Sequence, residues 1–177
     1  MKVLYTERLT LRPIQHADLS YIKSLLADAS IMKYVLLETA YNDEQADKLI
    51  KANFATAEDD SIGLSVLQHN VTNEVIGFAG LLPCPYLGFE DVEFGYIIGS
   101  DYQGCGYATE IALELVRYVL VELKKARILA LVNPLNVDSR KILEKKLGMR
   151  YLQDIPERGI RCVYELTKET HRKGCFL

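Results

Sequence analysis

DVEFGYIIGSDYQGCGYATEIALE, residues 91–114, reads as a strand, a glycine loop and a helix in succession. Val92, Phe94, Tyr96, Ile97 and Ile98 form a β-rich apolar run, Gly99 to Cys105 interrupt it, and a helical pattern begins near Tyr107. Where such a helix starts, several backbone N–H groups lack an intrahelical partner and the macrodipole adds partial positive charge, so the junction favours an anion. Gly104 and Gly106 allow a positive φ or close approach of the main chain to a phosphate. The plain alternative is a tight turn that binds nothing. Glu93 alternates with Val92 and Phe94, which puts it on the opposite face of the strand.

Downstream, the helix carries Ala108, Ile111, Ala112, Leu115, Val119 and Leu123 on one face and is expected to run to about Lys125. Arg127 to Val132 is a continuous apolar run typical of a strand covered on both faces. A short helix after Asn136 and strands at about Met149 to Leu152 and Ile160 to Leu166 complete this half. Upstream, Thr6 to Pro13 alternates, with Leu9 and Leu11 on one side and Arg8, Thr10 and Arg12 on the other. Asp18 is positioned to cap a helix with the stripe Leu19, Ile22, Leu25 and Leu26. Asn42 and Gln45 resemble a capping box opening a second helix, with Ala46, Leu49, Ile50, Phe54 and Ala57 on its apolar face. Gly63 to His69 and Glu74 to Leu81 read as an antiparallel hairpin turning at Asn70 to Asn73, which the segment Pro83 to Gly88 is expected to end. The order is β-α-α-β-β-β-α-β-α-β-β. It implies an α/β (α+β) domain with a mixed sheet and helices on its faces.

The 177 residues, 49% hydrophobic and 25% charged, suffice for one domain with a sizeable core, expected over about 6–168. A net charge of -3 and a pI of about 5.7 give no general drive toward nucleic acid or anionic membranes. The opening residues do not read as a secretory leader and no apolar run approaches the roughly 18 residues of a membrane span, so a cytoplasmic protein is expected. Cys84, Cys105, Cys162 and Cys175 show no paired spacing, so free thiols are expected rather than a metal site or a disulfide framework.

With these segments assembled, the chain resembles the GNAT superfamily of acyl-CoA N-acyltransferases, and within it the RimJ/RimL-type branch that acetylates protein amino termini. The likeness runs through TERLTLRP, IGFAGL, VEFGYIIG, the loop Q-x-x-G-x-A at Gln103 to Ala108, N-x-x-S at Asn136 and Ser139, and LEKKLGM. It implies a mostly antiparallel sheet of about seven strands and acetyl-CoA as cosubstrate. By the resemblance, Gln103, Gly104, Cys105, Gly106, Tyr107, Ala108 and Thr109 hold the pyrophosphate. Phe94, Gly95, Tyr96, Ile97 and Ile98, splayed from the strand at Ile128 to Val132, bond the pantetheine arm, with Asn133, Asn136 and Ser139 as further contacts. Cys105 stands where relatives often have a basic residue.

The implied reaction is direct attack of an amine on the thioester through a tetrahedral oxyanion, with no acyl-enzyme, consistent with the absence of a recognisable nucleophile motif. Glu93 matches the branch's central-strand carboxylate and is expected to act as base through water, and Ser139 to protonate or bond the departing thiolate. Solvation of Glu93 and helix capping by Asn136 and Ser139 are the structural alternatives. Leu143 stands where many relatives carry a tyrosine acid, and the extra lysine in EKKLGM lengthens the usual stretch by one. His16, His69 and His171 read as surface or capping residues. The acceptor is expected to be a peptide α-amine, with a polyamine, amino acid or aminoglycoside as the alternative and a noncatalytic acyl-CoA-binding module as the competing class. The expected groove lies among the first helices, the loop Pro83 to Phe89 and the loop Pro156 to Ile160. A homodimer is compatible with this reading.

Overall fold

The computed structural model describes residues 2–55, 62–157 and 159–173, with the backbone alone at 172 and 173. Strand β1 (Leu4–Tyr5) leads into β2 (Leu9–Arg12), where Leu9 and Leu11 are fully buried and Thr10 and Arg12 only partly so, the alternation expected of TERLTLRP. Helices α1 (Leu19–Ala27), α2 (Ala29–Met32) and α3 (Asp43–Asn53) follow. The Asn42 and Gln45 side chains form the expected capping box at 2.9 and 3.0 Å. Asp18 departs from expectation, since its side chain does not cap α1. It takes two donors from Arg12, at 2.7 and 3.0 Å, and the Gln15 N–H at 2.7 Å, because a forked cation at its side is a stronger partner than a neutral helix amide. The α3 stripe ends at Phe54, whose backbone is extended, and Ala57 lies outside the described residues.

The remaining elements are β3 (Leu64–His69), β4 (Val75–Cys84), β5 (Asp91–Ile98), α4 (Tyr107–Arg117), β6 (Arg127–Val132), α5 (Val137–Lys141), β7 (Arg150–Ile155), β8 (Arg161–Thr167) and α6 (Lys168–Lys173). They form an eight-stranded sheet in the order β1-β2-β3-β4-β5-β6-β8-β7, antiparallel except for the β5–β6 pair. The strand beyond the expected seven is β1. Strand β4 runs through Pro83 to Cys84 rather than stopping before it, paired with Val92 and Asp91 of β5. The Leu81 N–H donates to Gly63 on the other side, so two residues later the Pro83 nitrogen faces the side where β3 has ended and no donor is required.

One face of the sheet packs Leu11, Ile76, Phe94 and Ile128 against Ile111, Leu115 and Val119, with Leu143 and Leu147 beside them. The other packs Val66, Phe78 and Ile97 against Ile22, Leu26, Met32 and Ala46 of the first three helices. Helix α4 passes at Tyr118–Glu122 into a π turn, in which the Leu123 N–H bonds the Tyr118 carbonyl at 2.9 Å. The wider turn rotates the end of the helix, so Leu123, expected on the buried stripe, is exposed. A second π turn at Ile142–Lys146, closed by the Leu147 N–H on the Ile142 carbonyl at 3.0 Å, contains both lysines of EKKLGM.

Candidate active site

Strands β5 and β6 are in register at a single pair, Glu93 with Leu129. Beyond it, residues 94–98 remain paired to β4 and 130–132 to β8, while the edges that face one another part. This is the expected splay. It opens a cavity of roughly 420 Å³ whose walls include Glu93, Phe94, Gly95, Tyr96, Ile97, Ala130, Val132, Asn136 and Ser139. Gly95 is exposed although it lies in a central strand, and a Cβ there would meet nothing within 4 Å. Parted edges of this kind offer N–H and C=O groups to an extended amide chain, as an adjacent strand would.

Past Ile98 the chain makes a short turn at Ser100–Tyr102 and enters the glycine loop. Gly104 and Gly106 take φ of 75° and 85°, and Gly106 is the N-cap of α4 with no side-chain cap on the helix. The Glu110 N–H closes the first turn on the Gly106 carbonyl at 3.1 Å, which leaves the preceding helix amides without an intrahelical acceptor. The Gln103 side chain turns back to donate to the Ile98 carbonyl at 2.9 Å. Cys105 is exposed, and its thiol donates to the Gln103 carbonyl at 3.6 Å. The cation beside this loop comes from Arg8. Its Nε donates to Glu110 at 2.7 Å, its Nη1 to the Cys105 carbonyl at 3.0 Å, and its guanidinium lies 4.6 Å from the Tyr107 ring centre. Burial raises the Glu110 carboxyl, but donors from Thr6 and Arg8 outweigh it and hold the group below its ordinary range. The TERL opening thus buttresses the loop.

Across the cavity, Asn136 is the N-cap of α5 and accepts the Ser139 N–H at 3.2 Å, the structural role weighed for it, while also lining the cavity. Asn133 does not line the cavity: its side chain donates to Glu38 at 2.6 Å and accepts the Leu135 N–H at 2.8 Å. Leu143 is buried and reaches the cavity wall one helical turn beyond Ser139. His69 packs edge-on to Tyr107 at 5.7 Å and His16 begins the turn before α1, both away from the cavity. Among the described residues no group of three His, Cys, Asp or Glu could hold a metal ion, and no helix is long and apolar enough to cross a membrane.

The family model described as an acetyltransferase (GNAT) domain matches residues 8–150. The chain belongs to the GNAT acetyltransferase family. An N-acetyltransferase named p20 from Bacillus licheniformis, uncharacterised, is 32% identical over 144 residues, covering 81% of this chain and 80% of its own. The fold is shared with a spermidine N-acetyltransferase from Vibrio cholerae solved with CoA and spermine (TM-score 0.75, 21% identity, 93% of this chain and 98% of that one). It is also shared with a structure from Vibrio cholerae described as a putative ribosomal-protein-serine acetyltransferase (TM-score 0.72, 20% identity, 94% and 97%). GNAT acetyltransferases use acetyl-CoA, and the uncapped start of α4, the open space over Gly104 and the parted β5 and β6 edges fit its diphosphate and pantetheine arm.

The far wall of this acetyltransferase's cavity is formed by Tyr34, Val35, Leu36, Pro83, Pro85, Tyr86, Glu157 and Arg161, from three segments close to those expected to form a groove. A polar clasp invisible in the sequence holds it. Arg161, only 6% exposed, pairs with Glu38 and donates to the Leu36 carbonyl at 3.3 Å. The Asn133 amide lowers the Glu38 carboxyl, partial burial works against it, and Arg161 adds to the lowering. Leu36 and Glu38 sit at φ of 50° and 59°, uncommon for side-chain-bearing residues, and the clasp offsets their strain. The local hint is an arginine opening the largely apolar strand run RCVYEL, which also carries Glu165.

Proposed function

We propose that this N-acetyltransferase acetylates a primary amine, with the α-amine of a peptide or protein as acceptor, Glu93 as its base and Ser139 as its acid. The observation that carries this reading is the gap opening beyond the Glu93–Leu129 pair, a cavity lined by both Glu93 of β5 and Ser139 of α5. Acetyl-CoA supplies an activated acyl carbon. Gln103 to Thr109 and the edges of β5 and β6 hold and orient it, Glu93 takes a proton from the amine through water, and Ser139 donates its hydroxyl hydrogen toward the departing sulfur. An α-amine, with a reference pKa near 8, is far more often uncharged at pH 7 than a lysine-type amine near 10.4, so it makes the smaller demand on a base. The RimJ/RimL resemblance supports this choice.

A polyamine is the second reading, favoured by two carboxylates, Glu93 and Glu157, and two phenol rings, Tyr34 and Tyr86, on one cavity whose Arg161 charge is matched by Glu38. Turnover of acetyl-CoA on a panel of N-terminal peptides and a panel of small amines separates the two. Activity on the peptides, reduced on the order of 100-fold in kcat by Glu93→Gln, is the expected result. Activity on the small amines alone rejects the α-amine reading, and an unaltered kcat in Glu93→Gln rejects Glu93 as base.

A further inference from the structure

Tyr96 lies on β5 three residues past Glu93, where β6 has already turned away. Its ring packs against the main core and its hydroxyl oxygen is sealed from solvent without a hydrogen bond of good geometry. Phenylalanine would fill the same space without burying an unsatisfied hydroxyl, so packing does not explain a tyrosine here. Burial pushes the phenol above its ordinary range, and the side chain acting against that is Ser139, on α5 across the same cavity. The Ser139 N–H is occupied by Asn136, and Leu143, one turn further on, brings only methyl groups to the wall.

Resting on the reading of Ser139 as the acid, we infer that Tyr96 is a positioning residue: its O–H donates to the Ser139 oxygen and so aims the Ser139 hydrogen at the departing sulfur. The chemistry favours such a pairing. A serine hydroxyl is a far weaker acid than a thiol, whose reference pKa is near 8.5, whereas a phenol, near 10, is close to it. As the new C–N bond forms, the C–S bond breaks and its electron pair leaves on sulfur. Sulfur takes the Ser139 hydrogen, Ser139 takes the Tyr96 hydrogen, and the proton that the amine gives up to Glu93 returns through water to Ser139, whose own hydrogen passes back to the phenolate. No oxidant or further reactant is required.

The test is a double-mutant cycle with Tyr96→Phe, Ser139→Ala and the pair, measuring kcat, KM for acetyl-CoA and melting temperature on an amine from the panels that wild type turns over. Tyr96→Phe is expected to lower kcat about 10-fold or more at unchanged KM and melting temperature, and to add less than about twofold when Ser139 is already alanine. A Tyr96→Phe enzyme with wild-type kcat, or one whose loss is as large in the Ser139→Ala background, overturns the pairing while a kcat loss in Ser139→Ala alone leaves the acid reading standing. A silent Ser139→Ala overturns both.

Discussion

Asp18 stands at the entrance to α1 and directs its carboxylate to the Arg12 guanidinium and the Gln15 N–H rather than to the helix. As a helix-capping aspartate its removal would cost about 1 kcal/mol. As one half of a largely buried forked pair, its replacement by asparagine strands the Arg12 charge and is expected to cost about 3 kcal/mol, read as a fall in the urea midpoint at pH 7. Burial raises the Asp18 carboxyl, but Arg12 and the Gln15 N–H together hold it below its ordinary value. A depressed folded-state pKa contributes stability that is complete above the unfolded-state value, about 3.9, and is lost as pH falls through the folded one. The gap between wild type and Asp18→Asn should therefore be constant from pH 8 to 6 and narrow below about pH 4. A gap independent of pH down to 2 would show that the carboxylate's charge is not what stabilises the fold.

At the scale of elements, most of the fold was legible because each strand and helix carries its own period. Leu9 and Leu11 alternate, Ile111 and Leu115 recur at helical spacing, and the Asn42–Gln45 box marks the start of α3. What could not be read depends on neighbours. Pro83 sits inside β4 only because β3 has ended opposite it, and the parting of β5 from β6 leaves no mark in two runs that both look like ordinary buried strands. Glu38 and Arg161 are too far apart in the chain for any local pattern to join them. The π turn at Ile142–Lys146 is a middle case: the lysine pair is visible in the sequence, but the widened turn that contains it is not. If that turn holds one surplus residue, deleting Lys146 lets the helix revert to α hydrogen bonding with Leu147 and Met149 still in the core. The urea midpoint should then correspond to a change within about 1 kcal/mol. Deleting Ala112 from the regular part of α4 rotates its buried stripe off the sheet and should abolish folding. Equal damage from both deletions would contradict the surplus-residue account.

For the whole molecule, the proposed binding mode uses separate elements for the two parts of the donor: the diphosphate at the start of α4, where Arg8, just before β2, ties Glu110 to the glycine loop, and the pantetheine along the edges of β5 and β6. A ligand that ties these parts together should stabilise the entire domain. At acetyl-CoA 100-fold above its Kd the gain is about 2.7 kcal/mol, which for a chain of this size raises the melting temperature by about 5–10 °C. Gly106→Val puts a β-branched residue at a φ of 85°, with its Cβ 3.4 Å from the Arg8 guanidinium. It should lower the ligand-free melting temperature and remove the acetyl-CoA-dependent rise. The two effects are read separately, because the rise is measured against each protein's own ligand-free melt. A variant that melts lower yet keeps the full rise would mean that the diphosphate is held somewhere other than the start of α4, and the cavity beyond Glu93 would then have to be entered from another side.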